Sequence, residues 1–150
     1  MASETPAVHV TGHCYCGGLT YQVTIPEGQD PFLAAYCHCD SCRRSHAAPL
    51  YQVVIVDKAM FEITSGADLL RGFKRPEGRI TRAFCSACGT RIVNSFGEWT
   101  IRGRTPVAFF PNTLDEPITH AMPAPLRPTK NSFPQECVLE SDRVRQMLDA

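Results

Sequence analysis

The sequence predicts a mainly β fold, and three observations carry that expectation. Short runs alternate apolar and polar residues at the two-residue period of a half-buried strand. Ten glycines and twelve prolines punctuate the chain between those runs. Prolines crowd residues 111–134, where their missing amide donors and fixed φ exclude a long helix or a central strand.

In chain order, the first alternating run is Leu19, Tyr21, Val23 and Ile25 against Thr20, Gln22 and Thr24, closed by Pro26. A helical turn is expected to start near Asp40, with that carboxylate in a capping role. Further strands are expected over 51–56, 60–63, 69–73, 79–84, 91–94, 98–102 and 107–110. Residues 111–134 read as a surface-hugging loop. A short helix is expected over 141–149, capped by Ser141, with Val144, Met147 and Leu148 on one stripe.

A chain of 150 residues buries about 68–70% of its unfolded surface, enough for one core and too short for two, so a single domain over 1–150 is expected. Apolar residues at 43% and charged residues at 20% exclude disordered and fibrous classes. Fifteen basic residues balance fifteen acidic ones, which disfavours nucleic acid or an anionic membrane as partner and leaves a small molecule. The apolar runs at 53–56 and 107–110 are too short to cross a bilayer, and residues 1–10 lack the basic and apolar regions of a secretory signal. A cytoplasmic location with reduced thiols is the expectation.

Seven of the eight cysteines fall into three groups: Cys14 and Cys16, then Cys37, Cys39 and Cys42, then Cys85 and Cys88. Packing alone rarely groups cysteines in this way, and strain opposes disulfides between near neighbours. Thiolates one or two residues apart can instead bend around one metal ion at about 2.3 Å if the chain turns sharply, and Gly17 and Gly89 follow two of the groups. Structural zinc takes four ligands, whereas catalytic zinc keeps three with a position for water or substrate. Seven thiolates therefore divide into four from the outer groups and three from the middle one, with two Zn²⁺ ions per chain expected. Ligation would leave about three excess negative charges, which Arg43, Arg44, Arg82 and Arg91 are placed to offset. A helical turn after Cys39 would aim backbone amides at the middle thiolates.

The middle group also admits a purely structural site completed by His38 or a distant histidine, although in an extended Cys37-His38-Cys39 segment the imidazole points away from the sulfurs. His9, His13 and His120 read as structural or exposed, whereas His46, four residues after Cys42, could reach the open position. Arg43 and Arg44 are candidates to hold a substrate carboxylate, as is Lys130. Cys137 reads as a plain semi-buried thiol, and Phe96 and Trp99 as core or pocket wall.

Four stretches carry a family resemblance: Gly12-His13-Cys14-Tyr15-Cys16-Gly17, Cys37-His38-Cys39-Asp40-Ser41-Cys42-Arg43-Arg44, Arg82-Ala83-Phe84-Cys85-Ser86-Ala87-Cys88-Gly89-Thr90, and the looser Asn112-Thr113-Leu114-Asp115-Glu116-Pro117. On these motifs the chain resembles the glutathione-dependent formaldehyde-activating enzyme family, also called centromere-protein-V-like or GFA-domain proteins, over about residues 12–128. The resemblance implies a folded-sheet β-tent domain. It implies Cys14, Cys16, Cys85 and Cys88 as structural-zinc ligands and Cys37, Cys39 and Cys42 as catalytic-zinc ligands. It also implies a carbon–sulfur lyase or synthase acting on a glutathione adduct such as S-hydroxymethylglutathione. The chain departs from the family pattern at Ser45-His46-Ala47-Ala48-Pro49, where Ala47 stands at the position of a common glycine. The sequence also admits two other readings: a zinc-dependent tailoring enzyme for a non-glutathione carbonyl or thioether, and a non-catalytic zinc-stabilised binding module.

Overall fold

The computed structural model describes residues 5–116, 122–139, 142 and 146. Among them lie ten strands and one helix: β1(Val8–His13), β2(Thr20–Ile25), β3(Leu33–Cys37), α1(Asp40–His46), β4(Tyr51–Asp57), β5(Phe61–Ser65), β6(Leu70–Lys74), β7(Thr81–Cys85), β8(Arg91–Ser95), β9(Pro106–Phe109) and β10(Lys130–Ser132). They form a three-stranded sheet in the order β1-β2-β5 and a seven-stranded sheet in the order β10-β3-β4-β9-β8-β7-β6. Neither sheet closes on itself. Every pairing is antiparallel except that of β10 with β3.

Alternation along each strand decides which face a side chain joins. Tyr21, Val23 and Ile25 of β2 point into one core and are fully buried, each such burial being worth about 1.5–3 kcal/mol. They meet Val54 and Val56 of β4 and Val107 and Phe109 of β9 across the space between the sheets. The opposite face of the seven-stranded sheet carries a second, smaller core of Ala35, Cys37, Tyr51, Val53, Ala108 and Phe110, joined by Cys42 of α1. The middle cysteines therefore sit on the face turned away from the main core. Register extends that face outward, because Ala108 pairs with Asn94 and Asn94 with Arg82.

The expected strands over 51–56, 60–63, 69–73, 79–84, 91–94 and 107–110 form with their ends moved by a few residues at most. That over 98–102 does not. Arg102 and Gly103 both adopt left-handed φ, at 51° and 74°, and fold the chain into a tight turn bridged by Ile101 and Arg104. The proline-rich stretch is more than a loop: it buries Met122 and Leu126 in the main core and supplies β10. The helix expected over 141–149 lies outside the described residues, apart from positions 142 and 146.

Candidate metal centres

The outer cysteines stand on two turns of like construction. Past β1, Gly17 donates its amide to the Cys14 carbonyl at 2.9 Å, and past β7, Gly89 donates to the Cys85 carbonyl at 2.7 Å. Both glycines hold positive φ, 76° and 81°, which a side chain would strain. A hydrogen bond from the Tyr15 amide to the Thr90 hydroxyl, 3.0 Å, ties the two turns together. The sulfurs of Cys14, Cys16, Cys85 and Cys88 all lie within 4.8 Å of one another. Cys14–Cys16 measures 3.5 Å and Cys16–Cys85 3.9 Å. Tetrahedral ligation at a Zn–S distance of 2.3 Å would put sulfurs about 3.8 Å apart, so the spacing suits zinc. Hydrogen bonds from the Thr90 side chain and amide hold the Cys88 thiol down to about 5.

The looser motif around Asp115 braces this corner. Asp115 accepts from the Thr11 hydroxyl at 2.6 Å and pairs with His13, the residue before Cys14, while Leu114 bridges to Gly12. The Thr11 and His13 bonds hold the Asp115 carboxyl below its ordinary range.

The middle cysteines come from one strand end and one helix start. Cys37 closes β3, Cys39 is the N-cap of α1, and Cys42 lies in its first turn. Their sulfurs lie within 4.8 Å of one another, with Cys37–Cys39 at 3.7 Å. Among the described residues, no histidine or carboxylate atom joins that group. The cap differs from expectation: the Cys39 sulfur, not the Asp40 carboxylate, accepts the Cys42 amide at 3.4 Å. Asp40 is instead the first helical residue, and its carboxylate pairs with Arg43 and Arg44. An amide is nevertheless aimed at a middle sulfur, as the sequence suggested.

Two further donors converge on Cys42. The Tyr51 hydroxyl donates to its sulfur at 3.0 Å, and both terminal nitrogens of Arg82 lie 3.8 Å from it. The Arg82 guanidinium is oriented by the hydroxyls of Ser45 and Ser41, at 3.1 and 3.2 Å. Hydrogen bonding from Cys37, then from Tyr51 and Cys39, with the charge of Arg82 behind them, outweighs burial and holds the Cys42 thiol down to about 5. Cys37, facing that negative partner and buried, is pushed well up. The protein's own donors thus favour the ionised form at Cys42 over the other two sulfurs.

His38 turns away from the sulfurs, as its alternation predicted. It is fully buried, and its Nε2 meets Asn131 Oδ1 of β10 at 2.8 Å. The histidine-completed structural site therefore gains no support from His38. Arg43 spends its Nε on the His38 carbonyl at 3.0 Å, and Arg44 reaches Asp40 from an exposed position. Lys130 opens β10 and is exposed. His46 stacks on Tyr51 with ring centroids 4.1 Å apart and meets Phe110 edge-on at 4.6 Å. Burial, then repulsion from Arg91 and Arg82, holds its imidazole down to about 4. Cys137 donates to the Leu139 carbonyl and joins neither group. Trp99 is exposed and leans on Phe96, which packs at the margin of the second core.

Tyr51 was not legible as a site residue, since in the sequence it only begins an apolar strand. Its pairing opposite Cys37 is what brings its ring to Cys42. Arg82 precedes Cys85 in sequence and so read as a neighbour of the outer set, yet alternation along β7 sends it to the middle one.

The sequence profile described as "Glutathione-dependent formaldehyde-activating enzyme" matches residues 9–135. No curated protein matches the chain significantly. Among solved structures, a crystal structure of a Rhodobacter sphaeroides protein from a structural-genomics programme is similar in fold, with a TM-score of 0.56 and 19% identity. The match covers 81% of this chain and 99% of that one.

Proposed function

Because the chain belongs to the glutathione-dependent formaldehyde-activating enzyme family, we propose that it is a zinc-dependent carbon–sulfur lyase or synthase acting on a glutathione-type adduct such as S-hydroxymethylglutathione. The observation that carries the reading is the contrast between the two sulfur groups: four donors in one, three in the other. On this reading Cys14, Cys16, Cys85 and Cys88 hold a structural zinc, and Cys37, Cys39 and Cys42 hold a catalytic one. A zinc ion bound by the three middle sulfurs supplies a Lewis acid that lowers the pKa of a thiol or polarises an aldehyde oxygen.

The protein's own groups prepare that chemistry. The helix start fixes Cys39 and Cys42 one turn apart, and the end of β3 brings Cys37 against them. Tyr51 and Arg82 hold negative charge on the Cys42 sulfur by donating to it. His46, held uncharged near neutrality, stacks on the Tyr51 ring and so supports the donor to Cys42 from behind. All of this needs reduced thiols, which supports a cytoplasmic location. Among the described residues no helix is long and apolar enough to cross a membrane.

Zinc-loaded protein incubated with S-hydroxymethylglutathione and with glutathione adducts of larger aldehydes tests the reading, with carbon–sulfur cleavage followed by release of free thiol. Turnover of at least one adduct, abolished in Cys39→Ser, is expected. No turnover with any of them would reject the lyase.

A further inference from the structure

Six consecutive residues carry all three middle sulfurs, and the chain between them is held from far away in sequence. β10 pairs in parallel with β3, Asn131 opposite Tyr36 and Ser132 opposite Cys37. The Ser132 carbonyl accepts the His38 amide at 3.0 Å, and Asn131 Oδ1 meets His38 Nε2 at 2.8 Å. Beyond them Glu136 Oε2 accepts the amide of Asp40, the first residue of α1, at 2.6 Å, the two residues lying 96 apart in the chain. Both residues that flank Cys39 are thus tied to the segment 131–136.

The outer sulfurs need no such help. Their turns close on themselves through Gly17 and Gly89 and on each other through Tyr15 and Thr90. The middle group instead depends on where α1 begins. A helix of seven residues is too short to hold itself in water, and its first amides find no acceptor inside it. One peptide unit joins Cys39 to Asp40, and both of its ends are engaged. Its carbonyl accepts from the Cys42 and Arg43 amides at 3.1 and 2.9 Å, and its N–H donates to Glu136. A carboxylate on a backbone amide makes a charge-assisted bond, stronger than a neutral one. The orientation of that unit sets the direction of the Cys39 side chain.

Reaching the amide has a cost. The chain enters the Pro134–Glu136 turn through Phe133, which takes left-handed φ and ψ of 56° and 51° with its ring half-exposed. Such backbone is strained for an aromatic residue, and it persists only where surrounding bonds over-determine it. Here those are the Glu136 amide on the Phe133 carbonyl, 3.0 Å, and the Glu136 carboxylate on Asp40. Glu136 also lies one residue past the stretch that the family profile matches. We propose that Glu136 is a positioning residue for the middle sulfur group: by holding the Cys39–Asp40 peptide it sets the Cys39 sulfur against Cys37 and Cys42 and so raises the affinity of that group for its metal. That this metal is zinc rests on the function proposed above, whereas the contact rests on its geometry alone.

Hydrogen exchange of the zinc-loaded protein and zinc competition with a chromogenic chelator test the proposal without turnover. The Asp40 amide of wild type should exchange at least about tenfold more slowly than in an unfolded chain, and Glu136→Ala should abolish that protection. The phase of zinc release that is missing from Cys39→Ser belongs to the middle group. In Glu136→Ala that phase should come at about tenfold lower chelator concentration, with the other phase and the melting temperature little changed. Glu136→Gln keeps an oxygen acceptor and should recover most of the loss, and Gln135→Ala, at the exposed neighbour, should behave as wild type. An unprotected Asp40 amide in wild type, an equal shift of both phases in Glu136→Ala, or a glutamine variant as weak as the alanine one would overturn the proposal. Wild type with no phase that Cys39→Ser lacks would overturn the zinc reading together with it, whereas a middle phase that Glu136→Ala leaves in place would overturn the proposal alone.

Discussion

The hydroxyl of Tyr51 donates to the sulfur of Cys42 across 3.0 Å, joining the first residue of β4 to the first turn of α1. That bond is buried, and it falls on the middle sulfur that Arg82 also approaches. Partners of this kind orient a ligand atom and tune its basicity, and their loss commonly costs about 10–100-fold in metal affinity. Tyr51→Phe keeps the ring and its stacking on His46 while removing the donor. The middle site is expected to lose zinc to a competing chelator at about tenfold lower chelator concentration, with the melting temperature little changed. Metal affinity equal to wild type would show that the bond is incidental.

The two sulfur groups should differ in what they support. Structural zinc contributes an apparent folding energy on the order of 10–16 kcal/mol in small zinc domains, and the outer group clamps two turns some seventy residues apart in the chain. Cys85→Ser is therefore expected to fold poorly or melt far below wild type. Cys39→Ser should lose metal from the middle group and keep a cooperative melt. Metal analysis beside circular-dichroism melts of the two variants checks this, and equal melts would contradict it.

What could be read from the sequence and what could not divides on physical lines. β2 was legible because burial of one face imposes a two-residue period that survives in composition, and β4 because burial on both faces leaves a nearly continuous β-branched run. The cysteine grouping was legible because ligands to one ion must be close in the chain or sit on matched turns. β3 was hidden by two alanines in Leu33–Cys37, which carry little strand preference. The three-residue β10 was hidden among prolines that do obstruct a central strand but permit a short edge one. Of the site, the ligand candidates were visible, while the roles of Tyr51 and Arg82 depend on strand register, which no local pattern encodes.

Ala47 ends α1 in the left-handed region, with φ 50° and ψ 44°, and its amide and that of Ala48 close the helix on the Arg44 and Arg43 carbonyls. A side chain there costs about 1 kcal/mol relative to glycine, partly offset by the greater freedom of glycine when unfolded. Ala47→Gly should stabilise the protein by about 0.5–1 kcal/mol, a rise of roughly 1–4 °C in Tm. A melt shifted downward would mean that the Ala47 methyl contributes packing that outweighs the strain.

His46 gives the protein an acid-sensitive element. Its imidazole is held down to about 4 by burial and by Arg91 and Arg82, so the folded form binds fewer protons than the unfolded form. Its contribution to stability is therefore complete above the unfolded pKa of about 6.5 and is lost as pH falls from there towards 4. The loss should be on the order of 1–3 kcal/mol. Denaturant unfolding of wild type and His46→Phe from pH 7.5 to 5.5, taken as a difference so that metal release cancels, should show wild type losing more stability than the variant as pH falls. Parallel curves would contradict the assignment.

X-ray absorption at the zinc edge, on protein of known zinc content, tests most directly whether the middle sulfurs hold an ion able to take a substrate thiol. The account predicts two zinc ions per chain, one for each sulfur group, and a mean shell of sulfur with a fraction of lighter oxygen or nitrogen that glutathione replaces with sulfur. One zinc per chain, or a shell that glutathione leaves unchanged, would contradict it.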